Sequence, residues 1–395
     1  MGFRANIGNM WVDGDETRIF DISLILETEK SYIEFTNGNT IFEERNFNNY
    51  DNKKILIQFQ SNSYIICLEK VCITTINCGI ESGIHPTKIK MVATFVNFTI
   101  KKGNIDDIAK YRARFYISKI DFKRGWLNSV LKRTFSLNIE NKQIGYIFDN
   151  KTNNGYFEFP NSMSKNECKD IFAILQELFA VYSGKKFKLD YVLIKDETHE
   201  EFFGNINEGY IFYNEGYVQY DFIDTRRTSY KEFIESVFDN YKRKNKNWRL
   251  NLLIDYFLQY YHSQFVEIQF LCFSIFFEAL KYSYAENIRH FKRDKNQFFL
   301  KPNTKERYSF KEILNLIYGE LNIHNGTTSF ISKRDCLIHT GEIANVNIKE
   351  IFELKNQIKE IIVSLLNFQG EVHFRDIVTY KDINTTFSEY QKSKG

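Results

Sequence analysis

The sequence has little proline, methionine and cysteine, and it lacks a long apolar run. Of its 395 residues, 3 are Pro, 4 are Met and 6 are Cys. The longest apolar stretch, residues 268–277, is about half as long as a segment that crosses a bilayer, so we predict no membrane partner. Few cysteines and an N-terminus without an apolar signal segment favour the cytoplasm, where thiols stay reduced.

A dominant charge of one sign is also missing. The 53 Lys and Arg residues nearly balance the 50 Asp and Glu residues, and the net charge is +3. This balance excludes a histone-like protein or one with an acidic tail, so any surface for nucleic acid must be local. Aromatic residues, by contrast, are abundant. The 38 Phe and 24 Tyr residues predict a core packed largely by rings.

Several signatures of catalysis and cofactor binding are absent. The sequence contains neither a Gly-rich phosphate loop nor a Gly-x-Ser-x-Gly nucleophile motif. Cys67, Cys72, Cys78 and His85 follow the order of a zinc site, but the four, five and six residues between them match no compact zinc finger. We interpret these cysteines as buried structural thiols, and we predict neither a metal nor a cofactor.

Residues 1–160 predict a β-rich N-terminal domain. Short runs of alternating or β-branched apolar residues are separated by turns rich in Asn, Gly and Asp, as in RIFDISLILE, KKILIQFQ, SYIICLEKVCITT and KIKMVATFVNFTI. Frequent short strands without helices between them favour an antiparallel sandwich or a barrel-like assembly. Because helices follow later in the chain, the predicted fold class is α+β.

Residues 161–244 predict an α/β extension that ends in a basic linker. Ser164 and Glu167 have the spacing of a capping box, and Gly184 is a suitable helix stop. The strand KLDYVLI, a hairpin at 209–222 and the helix SYKEFIESVFDNY follow. The basic stretch 242–249 is the predicted linker.

Residues 245–372 predict a helical bundle. Five apolar or amphipathic segments with short connections between them are typical of antiparallel helices. The last of these segments carries an apolar stripe about five turns long. Residues 373–395 are predicted to be a tail, polar and frayed after Asp382.

The motif Arg334-x-x-x-x-His339 lies in the fourth helical segment. On a helix, Asp335 and His339 are neighbours on one face, so the carboxylate can orient the imidazole. Arg334 can neutralise charge on a phosphodiester while His339 transfers a proton. The alternative is a solvated helix end, in which His339 interacts with the helix dipole.

Two flanking segments strengthen this motif. Phe276-Phe277-Glu278-Ala279-Leu280 lies on a preceding segment, and Thr340-Gly341-Glu342 follows His339. With them, residues 245–370 resemble a HEPN domain, most closely the ApeA type. Residues 1 to about 235 are similar, more loosely, to the β-rich domain of ApeA-like anti-phage proteins.

The resemblance implies a metal-independent endoribonuclease in which the RNA 2′-hydroxyl attacks the adjacent phosphate in a site completed by dimerisation. The residues that map onto it are Arg334 and His339, with Asp335 after the Arg. Glu278 is either a further carboxylate of the site or a buried partner of Arg334 that holds two helices in register. The implied partners are cellular RNA such as tRNA, a second copy of the chain, and a phage-derived trigger that acts on the β-rich region.

A basic segment, residues 289–311, separates the second and third helices of the bundle. Its cations alternate with aromatic rings, and the residues predicted to bind RNA are Arg289, Lys292, Arg293, Lys295, Lys301 and Arg307. The alternative is a solvated loop. For the whole protein, two further hypotheses stay open: a non-catalytic protein that dimerises and senses a ligand or phage component, and an antitoxin or nucleotidyltransferase partner.

Overall fold

A computed structural model describes most of the chain. The described residues are 2–12, 15–25, 32–37, 53–59, 64–79, 88–94, 97–102, 112–118, 132–149, 154–184, 186–195, 200–205, 222–223, 227–263, 265–296, 298–340, 348–375 and 382–394. Only the backbone is described for most of the strands before residue 112 and for residues 338–340. The hairpin predicted at 209–222 lies almost entirely outside the described residues.

The N-terminal region is β-rich and antiparallel, as predicted. Its described strands are β1 (Gly2–Val12), β2 (Asp15–Ile25), β3 (Tyr32–Asn37), β4 (Lys53–Phe59), β5 (Tyr64–Gly79), β6 (Lys88–Thr94) and β7 (Asn97–Lys102). They are hydrogen-bonded in the order β4-β1-β2-β3-β6-β5-β7, and an additional pairing of β4 with β5 closes six of them into a ring. Strand β5 serves two sets of neighbours because its first part pairs with β4 and β7 and its second part with β6.

Six more strands extend this sheet from β7. They are β8 (Arg112–Ser118), β9 (Lys132–Ile139), β10 (Lys142–Asp149), β11 (Asn154–Phe159), β12 (Lys188–Lys195) and β13 (Glu200–Asn205), in the order β13-β12-β8-β11-β10-β9. The turn between β9 and β10 consists of Glu140 and Asn141, which both have positive φ, at 50° and 62°. Two such residues allow the tightest hairpin connection, so β9 and β10 pair along their full length.

Two capped helices pack next to the sheet. Helix α1 (Lys165–Ser183) begins at the capping box of Ser164 and Glu167 and ends at Gly184, whose φ is 79°, as the sequence predicts. Helix α2 (Tyr230–Trp248) has a similar capping box. It includes most of the basic stretch 242–249, which is therefore helix and not a linker. The physical reason is that buried Phe238, Tyr241 and Trp248 continue one apolar face, while most of the basic side chains are exposed.

The C-terminal part is mainly helical. Its elements are α3 (Leu250–His262), α4 (Val266–Tyr282), a π-helical turn (Ser283–Ile288), α5 (Phe310–Glu320), α6 (Ile331–Thr340) and α7 (Ile348–Leu366). In the part of the chain that the structure describes, no helix is both long enough and apolar enough to span a membrane.

The helical part and the sheet share one hydrophobic core. Phe233 of α2 contacts Phe368 after α7, with ring centroids 5.2 Å apart. Trp248, at the end of α2, lies 5.7 Å from Tyr284 of the π-helical turn. Buried residues form a single cluster from Ala113 in β8 to Phe374 near the C-terminus. Helix α2 therefore joins the β-rich region to the helical region through packing as well as through the chain.

The C-terminal segment is folded, so the prediction of a frayed tail is wrong. Strands β14 (Glu371–Arg375) and β15 (Asp382–Thr386) form a hairpin, and α8 (Phe387–Ser393) follows. Tyr390 stacks on Phe374 at a centroid distance of 3.8 Å. Buried Glu360 of α7 accepts hydrogen bonds from Gln391 at 2.6 Å and from Lys394 at 2.8 Å. These contacts anchor a segment whose composition is polar.

Candidate functional site

The candidate site lies where α4 meets α6. Phe277 of α4 and Phe330, immediately before α6, have ring centroids 4.5 Å apart. Both side chains are buried, at 0% and 3% exposure. This apolar contact brings the next residue of α4, Glu278, next to the first turn of α6, which carries Arg334. The two segments that carry the sequence motif therefore meet in the folded chain.

Arg334 is held on three sides. Its guanidinium forms ion pairs with Glu278 and Asp335 and lies 4.6 Å from the centroid of the Phe310 ring. The side chain is only 15% exposed, and its buried Nε has no hydrogen-bond partner among the described residues. Arg334 is thus not the solvated side chain of a helix end. A planar cation that is desolvated and paired in this way interacts strongly with oxyanions.

Glu278 pairs with a second cation that the sequence analysis missed. Lys281 Nζ lies 2.6 Å from Glu278, and the Lys281 side chain is 15% exposed. The ammonium also lies 4.6 Å from the Tyr282 ring centroid and 4.9 Å from that of Phe310. Burial lowers the pKa of Lys281. The available signal was the i, i+3 spacing of Glu278 and Lys281, which is common on exposed helices as well.

Asp335 contacts Arg334, whereas the sequence predicts a role towards His339. Its Oδ1 accepts a hydrogen bond from Arg334, and its side chain is 50% exposed. The backbone of His339 lies on α6, four residues after Asp335, so both residues occupy one face of the helix. The His339 side chain lies outside the described part of the chain, as do Gly341 and Glu342.

The charges of this cluster balance. Arg334 and Lys281 supply two positive charges, while Glu278 and Asp335 supply two negative ones. Glu278 is 21% exposed and bridges both cations, whereas Asp335 is half exposed and contacts Arg334. An incoming phosphate would therefore replace Asp335 on the guanidinium at lower cost than it would replace Glu278. Of the two carboxylates in the cluster, Asp335 is thus the one that an anion would displace more readily.

The structure gives acidic partners to four of the six residues that the sequence assigns to RNA binding. Arg289 pairs with Glu320 at 2.8 Å, Arg293 with Glu286, Lys301 with Glu312 at 2.9 Å and Arg307 with Asp294 at 2.6 Å. Lys292 and Lys295 are exposed, and neither pairs with an acidic side chain in the described ranges. Part of the basic segment's charge is therefore neutralised within the folded chain, mostly by acidic residues outside the segment.

The basic segment adjoins the Arg334 cluster. Arg293 lies 5.2 Å from the centroid of the Tyr282 ring, the same ring that Lys281 contacts. Phe310, which contacts both Lys281 and Arg334, is the first residue of α5 and directly follows the loop portion of the segment. The two groups of residues that the sequence analysis treated separately thus belong to one surface.

The cysteines do not form a metal site in the described part of the chain. Cys67 is partly buried on β5, and Cys168 and Cys272 are buried free thiols. The side chains of Cys72, Cys78 and His85 lie outside the described residues. Among the described residues, no group of three or more His, Cys, Asp or Glu side chains is placed to hold a metal ion.

Comparison with known proteins identifies no family and no shared fold for the chain. Neither a protein-family model nor a curated protein matches the chain. Hcp1 from Flavobacterium johnsoniae is 13% identical, with a TM-score of 0.20; the match covers 24% of this chain and 94% of that one. Hcp2 from Salmonella typhimurium is 9% identical, with a TM-score of 0.21 and coverages of 25% and 88%. Such TM-scores are too low to indicate a shared fold.

Proposed function

We propose that the chain is a metal-independent endoribonuclease of the HEPN type. The observation that carries the proposal is the largely buried pair of Arg334 and Glu278 between α6 and α4, with His339 on the same helix as Arg334. An arginine at a displaceable carboxylate suits a phosphodiester, because the guanidinium can bind the phosphate and stabilise the charge that develops on it. An imidazole on the same helix supplies proton transfer.

The proposed reaction is an internal transfer of the phosphoryl group. The RNA 2′-oxygen bonds to the adjacent phosphorus while a neutral His339 accepts the 2′-hydroxyl proton. The bond from phosphorus to the 5′-oxygen of the next nucleotide breaks, and a protonated imidazole donates a proton to that oxygen. The products are a 2′,3′-cyclic phosphate and a 5′-hydroxyl. Because one motif holds one histidine, a second copy of the chain supplies the acid, and the active form is a homodimer.

The other members of the cluster hold Arg334 in place. Glu278 is a positioning residue that fixes the guanidinium from α4, and Lys281 balances the charge of Glu278. Asp335 occupies Arg334 in the absence of RNA and gives way to the phosphate. After this exchange, its carboxylate is free to orient His339 one turn along the helix.

The proposed biological role is defence against phage by abortive infection, and it rests on the resemblance to ApeA-like proteins. In this role the substrate is cellular RNA, for example tRNA, in which unpaired loops allow the in-line geometry that 2′-hydroxyl attack requires. The β-rich region would then receive the phage-derived trigger.

The experiment that tests the proposal maps RNA ends. The purified full-length chain is incubated with total RNA in EDTA, and we expect cuts that leave 2′,3′-cyclic phosphate and 5′-hydroxyl ends. His339→Ala and Arg334→Ala should abolish cleavage. His324→Ala and Arg243→Ala are the matched controls, because both replace exposed side chains outside the cluster. Circular dichroism checks that each variant is folded.

Two results would contradict the proposal. Cuts that carry 5′-phosphates, or that disappear in EDTA, would require another site and another mechanism. A folded dimer that cuts no RNA under any condition, including phage infection, would favour the non-catalytic interaction protein.

A further inference from the structure

The described residues of the loop portion of the basic segment, 289–296 and 298–309, form three short limbs: residues 289–294, 298–301 and 304–309. Isolated antiparallel bridges join Arg293 to Phe299 and Leu300 to Arg307. Phe291 and Tyr308, near its two ends, stack with ring centroids 4.7 Å apart. The bridges connect the first limb to the second and the second to the third, and the stacked rings connect the first limb to the third.

Two adjacent phenylalanines on the middle limb have opposite environments. Phe299 is 4% exposed and packs 5.5 Å from the Tyr282 ring. Phe298 is 50% exposed, as expected where consecutive side chains of an extended limb point to opposite sides. A single exposed apolar side chain is common on protein surfaces, so what distinguishes Phe298 is the set of contacts that hold it in place.

Asp294 holds the exposed ring in place. Its Oδ1 accepts hydrogen bonds from the backbone N–H groups of Asn296 and Phe298, both at 2.9 Å. Its Oδ2 pairs with Arg307 at 2.6 Å, and the Arg307 guanidinium lies 4.5 Å from the centroid of the Phe298 ring. One carboxylate thus fixes both the turn that carries the ring and the cation beside the ring.

We propose that Phe298 and Arg307 form a stacking platform for an unpaired base of single-stranded RNA. An aromatic ring and a guanidinium plane are the two side-chain surfaces on which bases stack, and both accept any base. Exposed Lys292, Lys295 and Lys305 have no acidic partner within the described ranges, so they are available to the flanking phosphates. The inference rests on the proposed function and narrows its substrate class to RNA with an unpaired segment.

The position of the platform relates it to the proposed reaction. Rings and cations in mutual contact lead from the middle limb to the proposed site, with centroid distances of 4.6 to 5.2 Å at each step: Phe299, Arg293, Tyr282, Lys281, Phe310 and Arg334. A strand held at Phe298 is therefore anchored on the segment that packs against the Arg334 cluster, although the Phe298 ring itself points away from Phe299. Such anchoring favours cleavage of unpaired segments over duplex.

The test measures binding separately from cleavage. A fluorescent 2′-O-methyl RNA 12-mer cannot be cut, because its 2′-oxygens carry no proton, and its affinity for the full-length chain is measured by anisotropy at low salt. We expect Phe298→Ala to weaken binding of the single strand about tenfold. Phe298→Trp should retain the affinity because it preserves the ring. Phe265→Ala is the matched control, since Phe265 is also exposed, at 69%, and precedes α4.

The outcomes distinguish the platform from the proposed function. The platform is overturned if the Phe298→Ala chain binds the single strand as tightly as the wild type does. It is overturned as well if Phe298→Ala weakens the binding of an annealed duplex by the same factor as that of the single strand. It is also overturned if the wild-type chain does not bind the oligonucleotide. Loss of cleavage in His339→Ala would still support the ribonuclease in those cases. If the ring-dependent binding is present but no RNA is cut, the platform stands and the ribonuclease fails.

Discussion

Arg334 and Glu278 form an ion pair between two helices that are far apart in the sequence, and this pair is largely withdrawn from water. The Arg334 side chain is 15% exposed and that of Glu278 is 21% exposed. A pair in such an environment contributes little net stability, but removing one partner leaves the other charge without compensation. The pair therefore makes the geometry of the site dependent on the contact between α4 and α6.

We predict that Glu278→Ala destabilises the chain and lowers RNA cleavage. Among the acidic side chains of the described ranges, Arg334 would keep only the half-exposed Asp335 as a partner. Lys281 would lose the carboxylate that it contacts at 2.6 Å. The expected loss in the free energy of unfolding is about 2 kcal/mol, less than for a fully buried pair. Urea unfolding at neutral pH measures this loss.

Glu320→Ala is the control for this prediction. Glu320 also pairs with an arginine, Arg289, but their side chains are 34% and 48% exposed. Removing an exposed partner should cost less than about 1 kcal/mol. Equal losses in the two variants would show that burial of the Arg334 pair has no energetic consequence.

We predict that Asp335→Asn has opposite effects on RNA binding and on catalysis. The neutral amide competes less for Arg334, so the uncleavable oligonucleotide should bind about threefold more tightly. The maximal cleavage rate should fall, because the amide orients His339 less well than a carboxylate does. Anisotropy and single-turnover kinetics measure the two quantities. A fall in affinity would contradict the assignment of Asp335 as the ligand that the phosphate displaces.

We predict that both histidines of a dimer are required. In mixtures of wild-type chain and His339→Ala that have exchanged subunits, only dimers of two wild-type chains would be active. At equal amounts, activity should fall to about a quarter of that of wild type alone. If each chain acts by itself, about half remains, so the mixing curve distinguishes the two cases. Mixtures with His324→Ala, which should retain full activity, are the control.

The helix boundaries could largely be predicted because their signals are local. The spacing of Ser164 and Glu167, and the glycine at position 184, predict the limits of α1, and the structure confirms both ends. Thr386 and Glu389 form the same capping box at α8. The sequence prediction missed α8 because this seven-residue helix depends on distant contacts with α7 that composition does not reveal.

The site was less predictable because its contacts are not local. The sequence offered Glu278 as a partner of Arg334, and the structure contains that contact. It did not indicate Lys281, since a Glu-x-x-Lys spacing is equally common on exposed helices. The basic segment contains many more cations than acids, but Glu286 and Glu320, which lie outside it, neutralise Arg293 and Arg289.

A final prediction concerns a buried carboxylate at the junction of α1 and α3. Glu177 of α1 and Asp255 of α3 share Lys186, at 2.7 and 2.6 Å, and buried Tyr241 of α2 also faces this cluster. Burial raises the pKa of Glu177 to about 7 from its ordinary value of 4.5, against the opposing effect of Lys186. Between about pH 4.5 and pH 7, the folded chain therefore binds a proton at Glu177 more tightly than the unfolded chain does.

The sign of the pH dependence follows from this difference. Protonated Glu177 contributes to the free energy of unfolding because its pKa is higher in the folded chain than in the unfolded chain. This contribution is fully present below about pH 4.5 and is lost as the pH rises through about 7. We expect Glu177→Gln, which resembles the protonated form, to gain about 2 kcal/mol relative to wild type between pH 5 and 8, measured by urea unfolding. Glu167→Gln on the same helix is the control. Hydrogen bonds from the Ser164 backbone and from Lys142 hold the pKa of Glu167 at about 2. The effect of Glu167→Gln on the free energy of unfolding should therefore stay constant between pH 5 and 8. If the free energies of unfolding of wild type and Glu177→Gln differ by the same amount at every pH between 5 and 8, Glu177 is already ionised at pH 5 in the folded chain.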